Sequence, residues 1–147
     1  MAEVDKNNSL WQQIRRNLIA IFSLVFAITS LTYNTWRNEL TEHNRNIREA
    51  AFEILVKLGD LQRVMFFSHY DHDAEVGNPR NGWAYALTIS DLSQVMPEPL
   101  PACTDTLKEV WGENWRYLGK EEGSVRKIGS AIDDCRDITI HILRDLR

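Results

Sequence analysis

Residues 17–36 form a run of 20 positions without a charged side chain. Its centre, residues 18–28, is apolar apart from Ser23. A helix that is apolar on every face has no side suited to water, so it belongs in a deep core or in lipid. A chain of 147 residues has no core deep enough to surround it. As a helix the run is about 30 Å long, which matches the hydrocarbon core of a bilayer. The run therefore predicts one transmembrane helix.

The ends of the run and two competing interpretations bear on this prediction. Trp11 and Trp36 lie near the two ends, where amphipathic aromatic side chains prefer to sit. A cleaved signal peptide is one alternative, but the run is long for one and no small-residue cleavage site follows Ala27. A buried helix of a soluble protein is the other. We favour an uncleaved signal anchor. The start of its helix is predicted near residue 10, because Ser9 with Gln12 forms a capping box.

The orientation of the span follows from the basic residues on either side of it. The count is nearly balanced, with three before the run and three soon after it: Lys6, Arg15, Arg16, Arg37, Arg45 and Arg48. A short basic N-terminus ahead of a first apolar helix usually stays in the cytoplasm. We therefore expect a single-pass protein of a bacterial-type inner membrane, with the N-terminus cytoplasmic and the bulk of the chain periplasmic.

The charge beyond the span excludes one class of partner. Residues 37–147 carry 14 basic and 19 acidic side chains, and the basic ones are scattered. A nucleic-acid surface needs a basic patch that follows the phosphates. We expect no nucleic-acid binding.

After the run, apolar or small residues recur at alternating four- and three-residue steps, which is a heptad seam typical of a coiled coil. The seam consists of Leu40, Asn44, Ile47, Ala51, Ile54, Leu58, Leu61 and Met65. It predicts one continuous helix over about residues 10–68. Gly59 lies inside the pattern, where it indicates close helix packing or a kink.

Three further helices are predicted. Turn residues fill 71–82, and a helix follows over about 83–95, with Trp83, Leu87, Leu92 and Val95 facing inward. Thr106 with Glu109 suggests a next helix from about residue 104. Its inward positions are Leu107, Val110, Trp111, Asn114 and Leu118. A last helix runs from about residue 124 to the end, with a seam of Val125, Ile128, Ile132, Cys135, Ile138, Ile142 and Leu146.

These elements predict an all-α chain in which one N-terminal transmembrane helix continues into an antiparallel four-helix-bundle-like domain. The predicted divisions are a short tail over residues 1–9, a transmembrane signal-anchor helix over 10–36, and an extramembrane bundle over 37–147.

The two cysteines, Cys103 and Cys135, offer one disulfide. Antiparallel pairing of the last two helices places Cys135 opposite about Leu107, one helical turn from Cys103. An error of one turn in register moves the sulfurs by about 5 Å, so two states stay open. Either the cysteines are bonded, as in an oxidising compartment, or Cys135 is a buried apolar residue and Cys103 an exposed thiol.

Two groups of side chains are candidate sites. Imidazole and carboxylate groups that suit a transition metal are contiguous in His69, Asp71, His72 and Asp73. The alternative is a solvated acidic loop at a helix end. Trp83, Trp111 and Trp115 either fill the core or line a pocket for a small ligand.

No sequence motif of catalysis, nucleotide binding or cofactor binding is present, so we expect no enzyme activity and no cofactor. We expect an interaction, assembly or accessory subunit. Its partners would be the lipid bilayer and either another membrane protein or a second copy. Association would use the juxtamembrane seam residues Leu40, Ile47, Ile54, Leu58 and Leu61.

The layout of a short basic N-terminus, one span and a long helix entering a bundle resembles the membrane-anchored four-helix sensor domains of bacterial receptors. The resemblance implies an alternative function, a ligand- or metal-sensing bundle that signals through a partner. Such receptors return through the membrane to a cytoplasmic output, whereas this chain stops at Arg147.

Overall fold

A computed structural model describes residues 3–73 and 75–146, with side chains described from residue 11 onward except that of residue 14. Over these residues the regular secondary structure is helical throughout, with turns and loops between the helices and no strand. Four α-helices follow one another: α1 Glu3–Phe66, α2 Pro79–Ser93, α3 Leu100–Asn114 and α4 Glu122–Asp145. Short π- and 3-10-helical segments lie at Phe67–Asp71 and Trp115–Tyr117. Contacts divide the chain into two compact units, Met1–His43 and Asn44–Arg147.

Helix α1 is longer at its start than the sequence predicts. It begins at Glu3, so the predicted start near residue 10 is wrong, and Ser9 lies within the helix with its side chain outside the described ones. At the other end α1 passes into the π-helical segment, which stops where His72 adopts a left-handed conformation with φ of 50°. The backbone N–H of His72 donates to the carbonyl of Phe67 and closes the segment.

The core of the second unit is built on the seam that the sequence predicts for α1. Six of the eight seam positions are buried: Ile47, Ala51, Ile54, Leu58, Leu61 and Met65. They join one hydrophobic cluster with side chains from α2, α3 and α4. Burying each such aliphatic side chain stabilises the fold by about 1.5–3 kcal/mol relative to leaving it in water. The second unit is therefore a helical bundle.

Helix α2 differs from its prediction in both start and inner face. Pro79 opens the helix four residues before the expected start, because Asn78 Oδ1 accepts a hydrogen bond from the N–H of Arg80 at 3.1 Å and caps the end. The buried face consists mainly of small residues, namely Gly82, Ala86, Ile89, Ser90 and Ser93. Leu87 and Val95, predicted to face inward, are 48% and 58% exposed.

Helix α3 also starts earlier than predicted. It begins at Leu100, with Pro101 in its first turn, where a missing N–H costs nothing. The Thr106 hydroxyl donates to the carbonyl of Ala102, so Thr106 lies inside the helix and the capping box near residue 104 is wrong. The predicted inward positions Leu107, Trp111, Asn114 and Leu118 are buried, and Val110 packs against the core.

Helix α4 follows its predicted seam. Val125, Ile128, Ile132 and Cys135 are buried, and the later seam residues Ile138, Ile142 and Leu146 are half-buried against the core. Arg136 connects this helix to α1, since its Nη2 donates to Oε1 of Gln62 at 2.6 Å.

Candidate functional site

The first unit presents an apolar helical surface. Its most apolar window of 18 residues has a mean hydropathy of 1.7, and none of that window is buried within the chain. By length and composition this helix can cross a membrane. Phe22 and Phe26 are among its most exposed side chains.

Three threonines in and beside this surface have hydroxyl groups that are hydrogen-bonded to the backbone of the same helix. Thr29, Thr32 and Thr35 each donate to the carbonyl four residues earlier, at 2.8, 2.9 and 3.0 Å. A hydroxyl bonded in this way needs no water, so it is tolerated in a nonpolar surrounding. These three threonines are thus compatible with lipid.

The two cysteines are bonded to each other. Cys103 of α3 and Cys135 of α4 form a disulfide with a Cα–Cα distance of 5.7 Å. It closes a loop across the turn between these helices, with a sequence separation of 32. Of the two states that the sequence leaves open, the structure has the bonded one.

The four residues of the predicted metal site are held in separate structural roles or left in solvent. Nδ1–H of His69 donates to the carbonyl of Leu118 at 2.7 Å and ties the end of α1 to the α3–α4 turn. His72 and Asp71 are exposed. Within the described residues no group of three or more His, Cys, Asp or Glu side chains could hold a metal ion.

Asp73 organises the loop that follows. Its Oδ1 accepts hydrogen bonds from the N–H groups of Glu75 and Val76, at 2.8 and 2.9 Å. The bond from Val76 and then that from Glu75 lower the pKa of the Asp73 carboxyl, since both stabilise its charged form. A cavity of about 370 Å³ lies beside this loop. It is lined by Ser68, His72, Asp73, Gly77, Asn78 and Pro79.

The three candidate tryptophans are in three different contacts. Trp111 is fully buried against α2, where a Cβ on Gly82 would overlap the six-membered part of its ring. Its Nε1–H has no hydrogen-bond partner. Trp83 packs over Gly112, and Trp115 lies under the Arg116 guanidinium, whose Cζ is 5.1 Å from the ring centroid. The cavity beside the Asp73 loop is lined by none of the three.

A polar cluster between α2 and α3 was missed by sequence reasoning. The hydroxyls of Ser93 and Thr104 are buried and lie 2.6 Å apart, so one donates to the other. Nearby, Lys108 Nζ donates to the Ser90 hydroxyl at 3.0 Å and to Asp105 Oδ1 at 2.8 Å. The hydrogen bond and the charge of Lys108, followed by a bond from Ser90, lower the pKa of the Asp105 carboxyl.

This cluster resembles a serine–lysine pair in composition, and its geometry shows what it does. A lysine that activates a serine must accept the hydroxyl proton. Here Lys108 acts as donor to both neighbours, and the Ser90 hydroxyl donates to Asp105 at 3.2 Å. The cluster therefore satisfies polar groups at a helix interface. The partners that meet across the two helices are 11 to 18 residues apart in the chain, a spacing that matches no local motif.

The seam residues expected to bind a partner are divided between core and surface. Ile47, Ile54, Leu58 and Leu61 are buried in the core of the chain itself, whereas Leu40 is exposed. The four buried side chains cannot contact a second protein while the bundle is folded.

No family model, no curated protein and no solved structure matches this chain. The described residues present an exposed apolar helical surface in the first unit and a disulfide-linked helical bundle in the second.

Proposed function

We propose that this chain is a non-enzymatic, single-pass membrane protein whose helical domain serves as an interaction, assembly or accessory subunit. The observation that carries the proposal is the helical run over residues 17–36, which is uncharged and exposed. Exposing that much apolar side-chain surface to water is unfavourable, by about 25 cal/mol per Å². A bilayer removes this cost along the whole run.

The second unit is proposed to be an antiparallel four-helix bundle. Contacts between neighbouring helices support this arrangement, because an early residue of one helix meets a late residue of the next. Gly82 and Ser93 of α2 face Trp111 and Thr104 of α3. Cys103 of α3 is bonded to Cys135 of α4 in the same reversed order.

The bundle is proposed to lie on the outer side of a bacterial-type inner membrane, with the N-terminus in the cytoplasm. The disulfide between Cys103 and Cys135 supports this side, since such bonds persist in oxidising compartments and are rare in the cytoplasm. The short basic segment before the span favours the same orientation.

An interaction role is supported by what the surfaces are made of. Small residues recur along the exposed run at three- and four-residue steps, as Ala20, Ser23, Ala27 and Ser30. Small side chains let helices approach closely within a bilayer. The partner is proposed to be another membrane protein or a second copy of the chain.

The proposal is tested by fractionation of cells that express the full-length chain. The protein is expected to sediment with membranes, to resist an alkaline carbonate wash, and to be released by detergent. Replacing Leu24 and Ile28 by Lys places two charges at the bilayer centre, each costing roughly 2.5–3.5 kcal/mol, and is expected to abolish insertion. The matched control replaces the exposed Leu87 of α2 by Lys and leaves insertion unchanged. A native chain that stays in the supernatant of a detergent-free lysate as a monomer would refute the proposal.

A further inference from the structure

The disulfide between α3 and α4 has one buried half and one accessible half. Cys135 is 0% exposed, whereas Cys103 is half-buried at the edge of the core. Residues three and four positions apart share a face of a helix, so these positions show what surrounds each cysteine. Three of the four such positions around Cys135 are buried, namely Ala131, Ile132 and Thr139. Around Cys103 two of the four are exposed, Pro99 and Thr106. A molecule in solvent therefore has access to Cys103 and not to Cys135.

This difference in access decides which sulfur exchanges. A disulfide is exchanged when a thiolate attacks one of its two sulfur atoms, and a fully buried cysteine is inert to such attack. An outside thiolate that attacks Sγ of Cys103 forms a new bond to that sulfur and breaks its bond to Sγ of Cys135. The electron pair of the broken bond passes to Sγ of Cys135, which then takes up a proton. The product carries a mixed disulfide on Cys103 and a thiol on Cys135.

From this asymmetry we propose that Cys103 is the sulfur through which the bond is made and broken, with a thiol–disulfide oxidoreductase as the partner. In the forming direction the Cys103 thiolate attacks the disulfide of the oxidoreductase and releases one of its thiolates. Cys135 then loses its proton, attacks Sγ of Cys103 and releases the second thiolate. Two electrons and two protons pass from the chain to the oxidoreductase, which becomes a dithiol. The assignment goes beyond the proposed membrane anchor and does not depend on it.

The buried position of Cys135 gives this residue the second step. Its Cα lies 5.7 Å from that of Cys103, so the fold holds the two sulfurs within bonding reach. A thiol held beside its target reacts within the molecule faster than a thiol that must arrive from solution. The Cys135 thiol therefore returns to Cys103 and resolves the mixed disulfide within the chain. A chain that lacks Cys135 is expected to keep the mixed disulfide on Cys103.

The proposal is tested with two full-length variants in detergent, each of which has a single thiol. Cys135→Ser leaves Cys103, and Cys103→Ser leaves Cys135. Each is treated with 2-hydroxyethyl disulfide, a small uncharged reagent, and adduct formation is followed by mass spectrometry. Cys103 is expected to react about a hundredfold faster than Cys135, because a fully buried thiol reacts only when the chain opens locally. In urea that unfolds both variants, the two rates are expected to converge.

A second measurement uses the native, bonded chain, so it does not depend on how well either variant folds. The chain is treated briefly with 2-mercaptoethanol, the exchange is stopped with acid, and the unfolded protein is alkylated. Trypsin then separates the two cysteines, because Lys108 and Arg126 lie between them in the sequence. The mixed disulfide is expected on the peptide that contains Cys103, and the alkylated thiol on the peptide that contains Cys135.

Two results would overturn the assignment. One is a mixed disulfide of the native chain that forms on Cys135 at least as often as on Cys103. The other is an equal rate for the two single-thiol variants under conditions in which circular dichroism shows both to be folded. Failure of the membrane anchor would be seen elsewhere, as a chain that is missing from the membrane pellet, and would leave these rates unchanged.

Discussion

Gly82 and Trp111 show how one pair of residues sets the distance between two helices. The Trp111 ring occupies the place where a Cβ at position 82 would stand, with Cε2 of the ring at 2.9 Å from that point. The contact lies in the buried interface of α2 and α3. Glycine at 82 is therefore required by its neighbour rather than by its own backbone conformation.

We expect Gly82→Ala to lower the free energy of unfolding by about 1–3 kcal/mol, because the added methyl group overpacks the interface. Trp111→Phe removes the clashing ring atoms, so the same alanine should cost little in that background. Urea denaturation of the four proteins of this cycle measures the coupling. The control is Gly123→Ala in α4, where a Cβ would meet nothing within 4 Å and no loss is expected. An equal cost of Gly82→Ala in both backgrounds would rule out the contact.

Asp73 makes the stability of the loop after α1 depend on pH. Its pKa is lowered from 3.8 by the N–H groups of Val76 and Glu75, so the folded state holds the proton less tightly than the unfolded state. The stabilisation is complete above the unfolded pKa and is lost as the pH falls through the lower folded pKa.

Asp73→Asn keeps an acceptor oxygen but removes this titration. Its melting temperature is therefore expected to fall less than that of the native chain between neutral pH and pH of about 3. Melting followed by circular dichroism at several pH values measures the difference. Parallel pH curves for the two proteins would contradict the role given to the Asp73 carboxylate.

From the sequence we could predict which single residues are buried, but not which residues contact each other. The position of Trp111 on an inward stripe is readable from helical spacing, and the ring is buried as expected. Its partner Gly82 is 29 positions away in a segment that reads as turn chemistry, because glycine and proline are concentrated there. The contact of Ser93 with Thr104 could not be predicted for the same reason, since the two residues lie on different helices.

At the scale of the helices, the buried face could be predicted where bulky residues repeat over several turns. It could not be predicted where the buried face consists of small residues. The seams of α1 and α4 each repeat bulky aliphatic residues over several turns, so their period determines which side is buried. Helix α2 reverses this rule, because apart from Ile89 its buried residues are glycine, alanine and serine, whereas Leu87 and, just beyond the helix end, Val95 are exposed. Its inner face depends on the large side chains of α3, which the sequence of α2 does not contain.

The disulfide is the strongest single connection between α3 and α4. A bond that closes a loop with a sequence separation of 32 is expected to contribute about 3–4 kcal/mol through the entropy of the unfolded chain. We expect the Cys103→Ser, Cys135→Ser double variant to lose that amount of unfolding free energy, and so to unfold at a lower urea concentration in detergent.

Reduction of the native chain supplies the comparison for that variant. A reducing agent is expected to shift the native unfolding midpoint towards that of the double variant and to leave the variant unchanged. Identical midpoints for the oxidised, reduced and doubly substituted proteins would show that the bond contributes nothing to stability.

At the scale of the whole molecule, composition divides the chain more sharply than any motif does. The uncharged run lies in the first unit, and the acidic, disulfide-linked bundle forms the second. The helical class could be predicted because apolar residues repeat at helical periods throughout. Partner and ligand could not be predicted from composition or period. Of the candidate residues, His69 and Asp73 hold loop contacts, Trp83 and Trp111 pack against glycines of the facing helix, and Asp71 and His72 are exposed.

The central claim is that the first unit anchors the chain and that the bundle lies outside the inner membrane. Two fusions at the C-terminus test it directly, one to a phosphatase that is active only outside the cytoplasm and one to a fluorescent protein that matures only inside. We predict an active phosphatase, a dark fluorescent fusion, and membrane recovery of both. A bright fluorescent fusion with an inactive phosphatase would contradict the account.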